Sequence, residues 1–185
     1  MKVLVIGYGS IGKRHIENLL SIPKIEVIIL TKQKPNDAIL KKCSVHNILE
    51  NCILEKPSAA IIANNTSEHT DAALKLAKEG INLFIEKPLS NDLKNIQELS
   101  KTVKSKKLLT MIGCNLRFDP CIKKIKQLID KKTIGKILSV QVESGSYLPD
   151  WHPNENYSKS YAARNDLGGG VILTCIHEID YLYWF

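Results

Sequence analysis

The first twelve residues constrain this chain more than any other stretch. Lys2 to Ile6 is short and mostly apolar, as in a parallel strand buried on both faces. The run breaks at Gly7 and resumes as a helical pattern, with Ile11, His15, Ile16, Leu19 and Leu20 on one side. The break spells G-x-G-x-x-G, with Gly7, Gly9 and Gly12 in the three glycine places and Ser10 and Ile11 opening the helix. In a strand–turn–helix of this kind Gly7 permits the tight reversal. Gly9 lets a pyrophosphate reach the backbone, and Gly12 lets helix and strand pack closely. The phosphates would rest on free amides at the helix N-terminus, where the dipole also favours negative charge. The competing reading is a plain strand–helix turn that binds nothing.

The same grammar continues. Ile25–Leu30 reads as a second strand, Lys34-Pro35-Asn36-Asp37 as a break, and Asp37–Cys43 as a short helix. A helix over Ile48–Lys56 is stopped by Pro57. Ala59–Ala63 is again a continuous apolar run, and a helix over Ser67–Lys78 ends at Gly80. Asn82–Ile85 reads as a strand, Asp92–Lys104 as a helix capped by Asn91, and Leu108–Gly113 as another strand. Strands alternating with helices predict an α/β fold, a Rossmann-type doubly wound parallel sheet occupying residues 1–117.

From Phe118 the pattern changes. Pro120 suits the first turn of a helix running to Asp130, and Thr133-Ile134-Gly135 is a turn. Lys136–Tyr147 alternates apolar and polar residues and predicts a long, half-exposed strand. A loop over Leu148–Leu167 follows, then Gly168-Gly169-Gly170 and a helix over Val171–Phe185. One strand, one loop and one helix are too little to close a core. Residues 118–185 are therefore expected to be the start of a truncated α+β domain.

Composition narrows the class. A hydrophobic fraction of 44% suits a folded core, and no apolar stretch is long enough to span a membrane. Glycines and the Lys13-Arg14 pair interrupt the N-terminal apolar run, so no secretion signal is expected. The five cysteines form no C-x-x-C pair and show no metal-ligand spacing, as expected of reduced thiols in a cytoplasmic protein. The net charge of +7 raises a nucleic-acid reading. However, the lysines are scattered, and the densest cluster, residues 123–132, lacks the interleaved aromatics a base-stacking surface needs. No nucleic acid or membrane partner is expected.

In an open parallel sheet ligands sit beyond the carboxyl ends of the strands. Gly7–Gly12, Thr31-Lys32, Asn64–His69 and Glu86-Lys87-Pro88 fall there. An acid at the end of the second strand accepts from the ribose 2′-OH of NAD, whereas a base in its place suits NADP. The sequence here is Leu30-Thr31-Lys32-Gln33-Lys34, with no acid until Asp37. NADP(H) is therefore the expected preference, with NAD(H) as the alternative.

Ile6-Gly7-x-Gly9-x-x-Gly12, Ala63-Asn64-Asn65-Thr66-Ser67-Glu68-His69 and Glu86-Lys87-Pro88-Leu89 together resemble the Gfo/Idh/MocA family of NAD(P)-dependent sugar oxidoreductases. Asn115-x-Arg117-Phe118-x-Pro120, Ile134-Gly135-Lys136-Ile137, and Gly168-Gly169-Gly170 followed by His177-Glu178-x-x-Asp180 continue the resemblance in order. Members are normally nearly twice as long, so it covers an N-terminal half.

The resemblance implies hydride transfer between nicotinamide and a hydroxyl-bearing carbon of a sugar, sugar acid or nucleotide sugar. It makes Lys87 and His177 the catalytic candidates. Lys87 would stabilise negative charge on the reacting oxygen, and His177 would be the general acid/base. Pro88 would fix the backbone after Lys87, a cis bond being one way to do so. Asn64, Thr66, His69 and Glu86 would join the glycine turn along the cofactor, although Thr66 also suits a helix cap. Asn115, Arg117, Asp150, Trp151, Arg164 and His177 would face substrate. The Tyr147–Pro153 loop, with Tyr161 and Arg164, suits a polyhydroxylated or acidic sugar as well as plain loop packing. The family's aspartate three or four residues before the histidine is absent; Leu173 and Thr174 stand there. That departure keeps a second reading open, a cofactor-binding but catalytically silent regulatory or scaffold protein. In a full-length form the C-terminal sheet would also offer a homo-oligomer contact.

Overall fold

The computed structural model describes residues 1–33, 38–151, 153–154 and 156–185, which divide into two units, Met1–Gly113 and Cys114–Phe185. The strands of the first unit are β1 (Lys2–Ile6), β2 (Glu26–Leu30), β3 (Ser44–His46), β4 (Ala59–Ile62), β5 (Asn82–Ile85) and β6 (Thr110–Ile112). Every neighbouring pair runs parallel, and the spatial order is β3-β2-β1-β4-β5-β6. This is the Rossmann order, and the winding reverses between β1 and β4.

Helices α1 (Ser10–Leu20), α2 (Leu49–Leu54), α3 (His69–Lys78) and α4 (Ile96–Ser105) connect the strands. On one face Leu4, Ile28, Ile62 and Ile85 pack with Leu76 and Ala77 of α3 and Leu99 of α4. On the other, Val5, Val27 and Ile29 pack with Ile16 of α1. Alternate residues of one strand thus enter different cores, which is why the strands read as unbroken apolar runs. Helix α3 ends in paired bonds from the Gly80 N–H to the Ala77 carbonyl (3.0 Å) and from the Ile81 N–H to the Leu76 carbonyl (3.1 Å). Gly80, at φ 81°, supplies the left-handed turn this ending requires.

Several boundaries differ from expectation. Edge strand β3 was not foreseen, because three half-buried residues give no readable period. Helix α4 starts at Ile96 rather than Asp92, and Asn91 is not its cap. The Asp92 N–H donates to Ser90 Oγ (3.2 Å) and the Lys94 N–H to Asp92 Oδ1 (2.9 Å), so side chains satisfy the backbone in a turn instead. A 3-10 turn, Thr66–Glu68, precedes α3, and another, Ala38–Lys42, stands where a short helix was read. The break at Lys34–Asp37 lies outside the described residues.

In the second unit α5 (Pro120–Asp130) begins as expected. Asp119 caps it, its Oδ1 accepting the amides of Cys121 (2.8 Å) and Ile122 (3.1 Å). The strand read over Lys136–Tyr147 is not formed. Its apolar side stays exposed, Leu138 at 88%, and no described strand of this unit offers it an edge to pair with. Short 3-10 turns stand at Leu148–Asp150, Tyr157–Lys159, Tyr161–Ala163 and Asn165–Leu167. The C-terminal run is two helices, α6 (Val171–Thr174) and α7 (Ile176–Trp184), interrupted at Cys175. No proline or glycine marks that interruption, so the apolar run read as continuous.

Candidate functional site

The glycine turn sits at the carboxyl end of β1, beside the reversal in strand order. Gly7 has φ 100°, and a Cβ there would stand 2.5 Å from the Ala63 carbonyl oxygen. A Cβ on Gly12 would stand 2.3 Å from the Gly7 carbonyl oxygen. Both glycines are therefore required by close backbone approach. Gly9 differs: a Cβ there would meet nothing within 4 Å. The first helical bond runs from the Lys13 N–H to the Gly9 carbonyl (2.9 Å), so the amides of Ser10, Ile11 and Gly12 precede the ladder. Open space over Gly9 and three leading amides form a cradle that fits a pyrophosphate. Ile11 is exposed rather than packed on the core side its spacing suggested, while Ile16 is fully buried.

Beyond β4, Asn64 Nδ2 donates to Glu68 Oε2 at 2.8 Å. His69 is 1% exposed, with Nδ1 2.9 Å from the Pro88 carbonyl and Nε2 3.1 Å from the Asn64 carbonyl. Burial pushes its pKa down, opposed in part by those carbonyls. Thr66 is also buried. The side chains of His69 and Thr66 thus lie inside the unit instead of lining an open path, because α3 enters the core at its first turn. His69 braces the backbone on which Asn64 and Pro88 stand.

Beyond β5, the Glu86 N–H continues the ladder to the Ile62 carbonyl (2.9 Å). Glu86 Oε1 lies 2.7 Å from His15 Nε2, and Oε2 accepts the Lys87 N–H at 3.3 Å. The Lys87–Pro88 bond is cis. Beyond β2, the Thr31 N–H donates to the His46 carbonyl (2.9 Å) and Thr31 Oγ1 accepts the Gln33 N–H (3.1 Å). Lys32 is exposed, and Asp37 lies outside the described residues.

In the second unit Arg117, expected to face substrate, is engaged by Asp180. Its Nε and Nη2 donate to the two carboxylate oxygens at 2.8 and 2.7 Å, and its guanidinium lies 5.7 Å from the Trp184 ring centre. Arg164 pairs with Asp166 two residues on, and Trp151 Nε1 donates to Ser146 Oγ (2.5 Å). Asn115 and Asp150 are exposed, and His152 lies outside the described residues. His177 is half-buried in the first turn of α7. Asp180 follows one helical turn later, and its carboxyl is held low first by Arg117, with a smaller contribution from His177. Thr174 is buried at the end of α6.

Sequence reasoning missed the contacts made by His15 with Glu86 and by Asp180 with Arg117. The available signal for His15 was a polar residue on the otherwise apolar side of α1.

A parallel sheet of this order, with a glycine turn at its reversal, defines the dinucleotide-binding class of α/β proteins. The oxidoreductase family described as Gfo/Idh/MocA, NAD-binding Rossmann fold, matches residues 1–114, and the C-terminal domain of the same family matches residues 122–185. The chain belongs to the Gfo/Idh/MocA family, whose members are NAD-binding oxidoreductases. It is 27% identical to a myo-inositol 2-dehydrogenase of Thermotoga maritima, over 97% of this chain and 53% of that protein. It is 28% identical to a scyllo-inositol 2-dehydrogenase (NAD(+)) of Bacillus subtilis, over 97% of this chain and 52% of that protein. The scyllo-inositol dehydrogenase of Lactobacillus casei, solved with NAD(H) and scyllo-inositol, shares the fold at a TM-score of 0.81 and 23% identity. That match covers 100% of this chain and 56% of the other. The chain spans about half the length of the curated relatives it matches. Among the described residues no helix is long and apolar enough to cross a membrane.

Proposed function

We propose that this chain forms the nucleotide-binding part of an oxidoreductase that moves a hydride between a nicotinamide dinucleotide and a hydroxyl-bearing carbon of a sugar-type substrate. The observation that carries the reading is Gly9, open to solvent above the leading amides of α1 at the strand-order reversal. The first unit is then the dinucleotide domain, and the second begins the substrate side. The relatives named as inositol dehydrogenases favour a cyclic polyol, and they favour an active enzyme over a silent binding protein.

Gly9, Ser10, Ile11 and Gly12 would hold the pyrophosphate, with Thr31 and Lys32 beside the adenosine ribose and Asn64, Glu86 and Lys87 along the nicotinamide side. When bound, the nicotinamide supplies or accepts the hydride. Lys87, at the carboxyl end of β5, hydrogen-bonds the reacting oxygen and stabilises its developing charge. His177 takes the hydroxyl proton in oxidation and returns it in reduction, a task suited to imidazole. Asn115, Asp150, Trp151 and Arg164 would contribute to the substrate side, and Arg117 would act there through its hold on Asp180. NAD(H) fits the turn. We infer a preference for the 2′-phosphorylated form, supported by an exposed Lys32 and the lack of a carboxylate among residues 31–33.

The test is to mix a full-length version of the protein, extended to the length of its relatives, with myo-inositol and either NAD+ or NADP+ and follow absorbance of the reduced cofactor. Turnover is expected to vanish in Lys87→Ala and His177→Ala. Retained turnover in either variant removes that residue from the chemistry. Unchanged NADPH affinity in Lys32→Asp contradicts the 2′-phosphate preference.

A further inference from the structure

Helix α1 carries two features one turn apart. Its first turn bears the leading amides beside Gly9, and its inward side bears His15. The His15 ring stands edge-on to Phe84, with centroids 5.4 Å apart, while Nε2 meets Glu86 Oε1 at 2.7 Å. The other oxygen of Glu86 accepts the Lys87 N–H. Gly113, just past β6, abuts the same carboxylate: a Cβ there would stand 3.0 Å from Glu86 Oε2 and 3.2 Å from its Cδ. The side chains of His15 and Glu86 are only 19% and 15% exposed.

Docking α1 on the sheet does not require this pair. Apolar side chains in the places of both His15 and Glu86 would fill the same space without the desolvation cost of imidazole and carboxylate. The contact has a direction instead. With one oxygen held by His15 and the carboxyl group abutted by Gly113, the second oxygen is aimed at the amide of Lys87. Without His15 the carboxylate is free to turn toward solvent, and that amide loses its acceptor.

We propose that His15 is a positioning residue for Lys87, acting through the Glu86 carboxylate; this rests on the reading of Lys87 as the strand-end catalytic lysine. Helix α1 then links the seat of the pyrophosphate to the setting of Lys87.

Residue-resolved amide hydrogen exchange on the whole chain, followed by NMR, tests this. In His15→Ala the Lys87 amide should exchange about tenfold faster, while the amides of Val5 and Ile29 in the sheet keep their wild-type rates. His15→Gln, whose side-chain N–H can reach where imidazole Nε2 stands, should restore the rate to within about threefold. In a Glu86→Ala background, His15→Ala should add nothing further at Lys87. Unchanged Lys87 exchange in His15→Ala, a uniform rise across the sheet, or no rescue by glutamine overturns the proposal. Should His15→Ala not fold, Glu86→Ala reads the same contact from the other side, and unchanged Lys87 exchange there also overturns it. Titration of the wild type with NADH separates the two readings. Absent binding removes the catalytic assignment of Lys87, whatever the exchange result, whereas binding with unchanged exchange removes only the role of His15.

Discussion

Arg117 and Asp180, 63 residues apart in sequence, form a bidentate pair with N···O distances of 2.8 and 2.7 Å. The pair ties the turn at residues 115–118 to helix α7, and Trp184 flanks the guanidinium. The carboxyl of Asp180 is lowered and the guanidinium of Arg117 raised, each chiefly by the hydrogen bonds to the other. Removing one partner leaves a partly covered charge without its counterpart. Asp180→Asn should therefore cost about 1–3 kcal/mol in the second unit. Arg117→Lys should not preserve the wild-type value, because an ammonium cannot reproduce the fork. The two tryptophans, Trp151 and Trp184, both lie in this unit, so urea denaturation followed by their fluorescence reports on it. An unchanged midpoint in Asp180→Asn would show that the pair contributes nothing.

Gly9 separates folding from binding. Its backbone angles, φ −78° and ψ −173°, are open to any residue, and a side chain there meets open space. Gly9→Asp should fold with a stability within about 1 kcal/mol of wild type, since aspartate is a good N-cap. It should also bind dinucleotide at least about tenfold more weakly, because its carboxylate takes the amides and repels the phosphates. Circular dichroism melts and a cofactor titration check the two halves. Gly12→Ala, by contrast, should lose the fold of the turn.

His69 makes the first unit sensitive to mild acid. Burial keeps its folded-state pKa below the ordinary 6.5, so the unfolded chain binds the additional proton. Stability should fall as pH drops through and below about 6.5. His69→Gln lacks this titration, and the difference in its stability from wild type should shift between about pH 7.5 and 5.5 in the variant's favour. Parallel pH curves would contradict the assignment. His69→Ala should cost about 2–4 kcal/mol at neutral pH, from lost packing and from the one backbone carbonyl that loses the imidazole N–H.

A second pH effect operates lower. The Glu55 carboxylate is held down to about 2, from an ordinary value of 4.5, first by His46 and then by Ser44, with Lys2 adding to it. Its contribution is complete above the unfolded value and is lost as pH falls through the folded one. The stability gap between wild type and Glu55→Gln should close between about pH 4.5 and 2. Urea midpoints across that range measure it, and a gap that stays constant would rule the carboxylate out.

The parts legible in the sequence are those whose information is local. Gly7, Gly9 and Gly12 announce a turn because backbone approach forbids anything larger at two of them. The strands announce a parallel sheet because both faces are buried. Gly80 and Pro120 mark helix ends through single-residue chemistry, whereas the cap at Asp119 showed itself only in the structure. What was not legible depends on distant partners. Leu138, Val140 and Val142 alternate as a strand would, yet a strand exists only beside another. Arg117 looks like a substrate contact in the sequence, where nothing shows that Asp180 meets it from helix α7 of the same unit. His69 sits on a binding-type turn, but its side chain goes inward because carbonyls from two loops converge there.

The measurement that tests the central claim most directly is a fluorescence titration of the purified chain with NADH and with NADPH, with Gly9→Asp in parallel. Saturable binding by the wild type, lost in a folded Gly9→Asp, is the predicted result, with NADPH bound more tightly than NADH. A folded wild-type chain that binds neither, or a Gly9→Asp variant that binds as well as wild type, would contradict the assignment of the glycine turn as the pyrophosphate site.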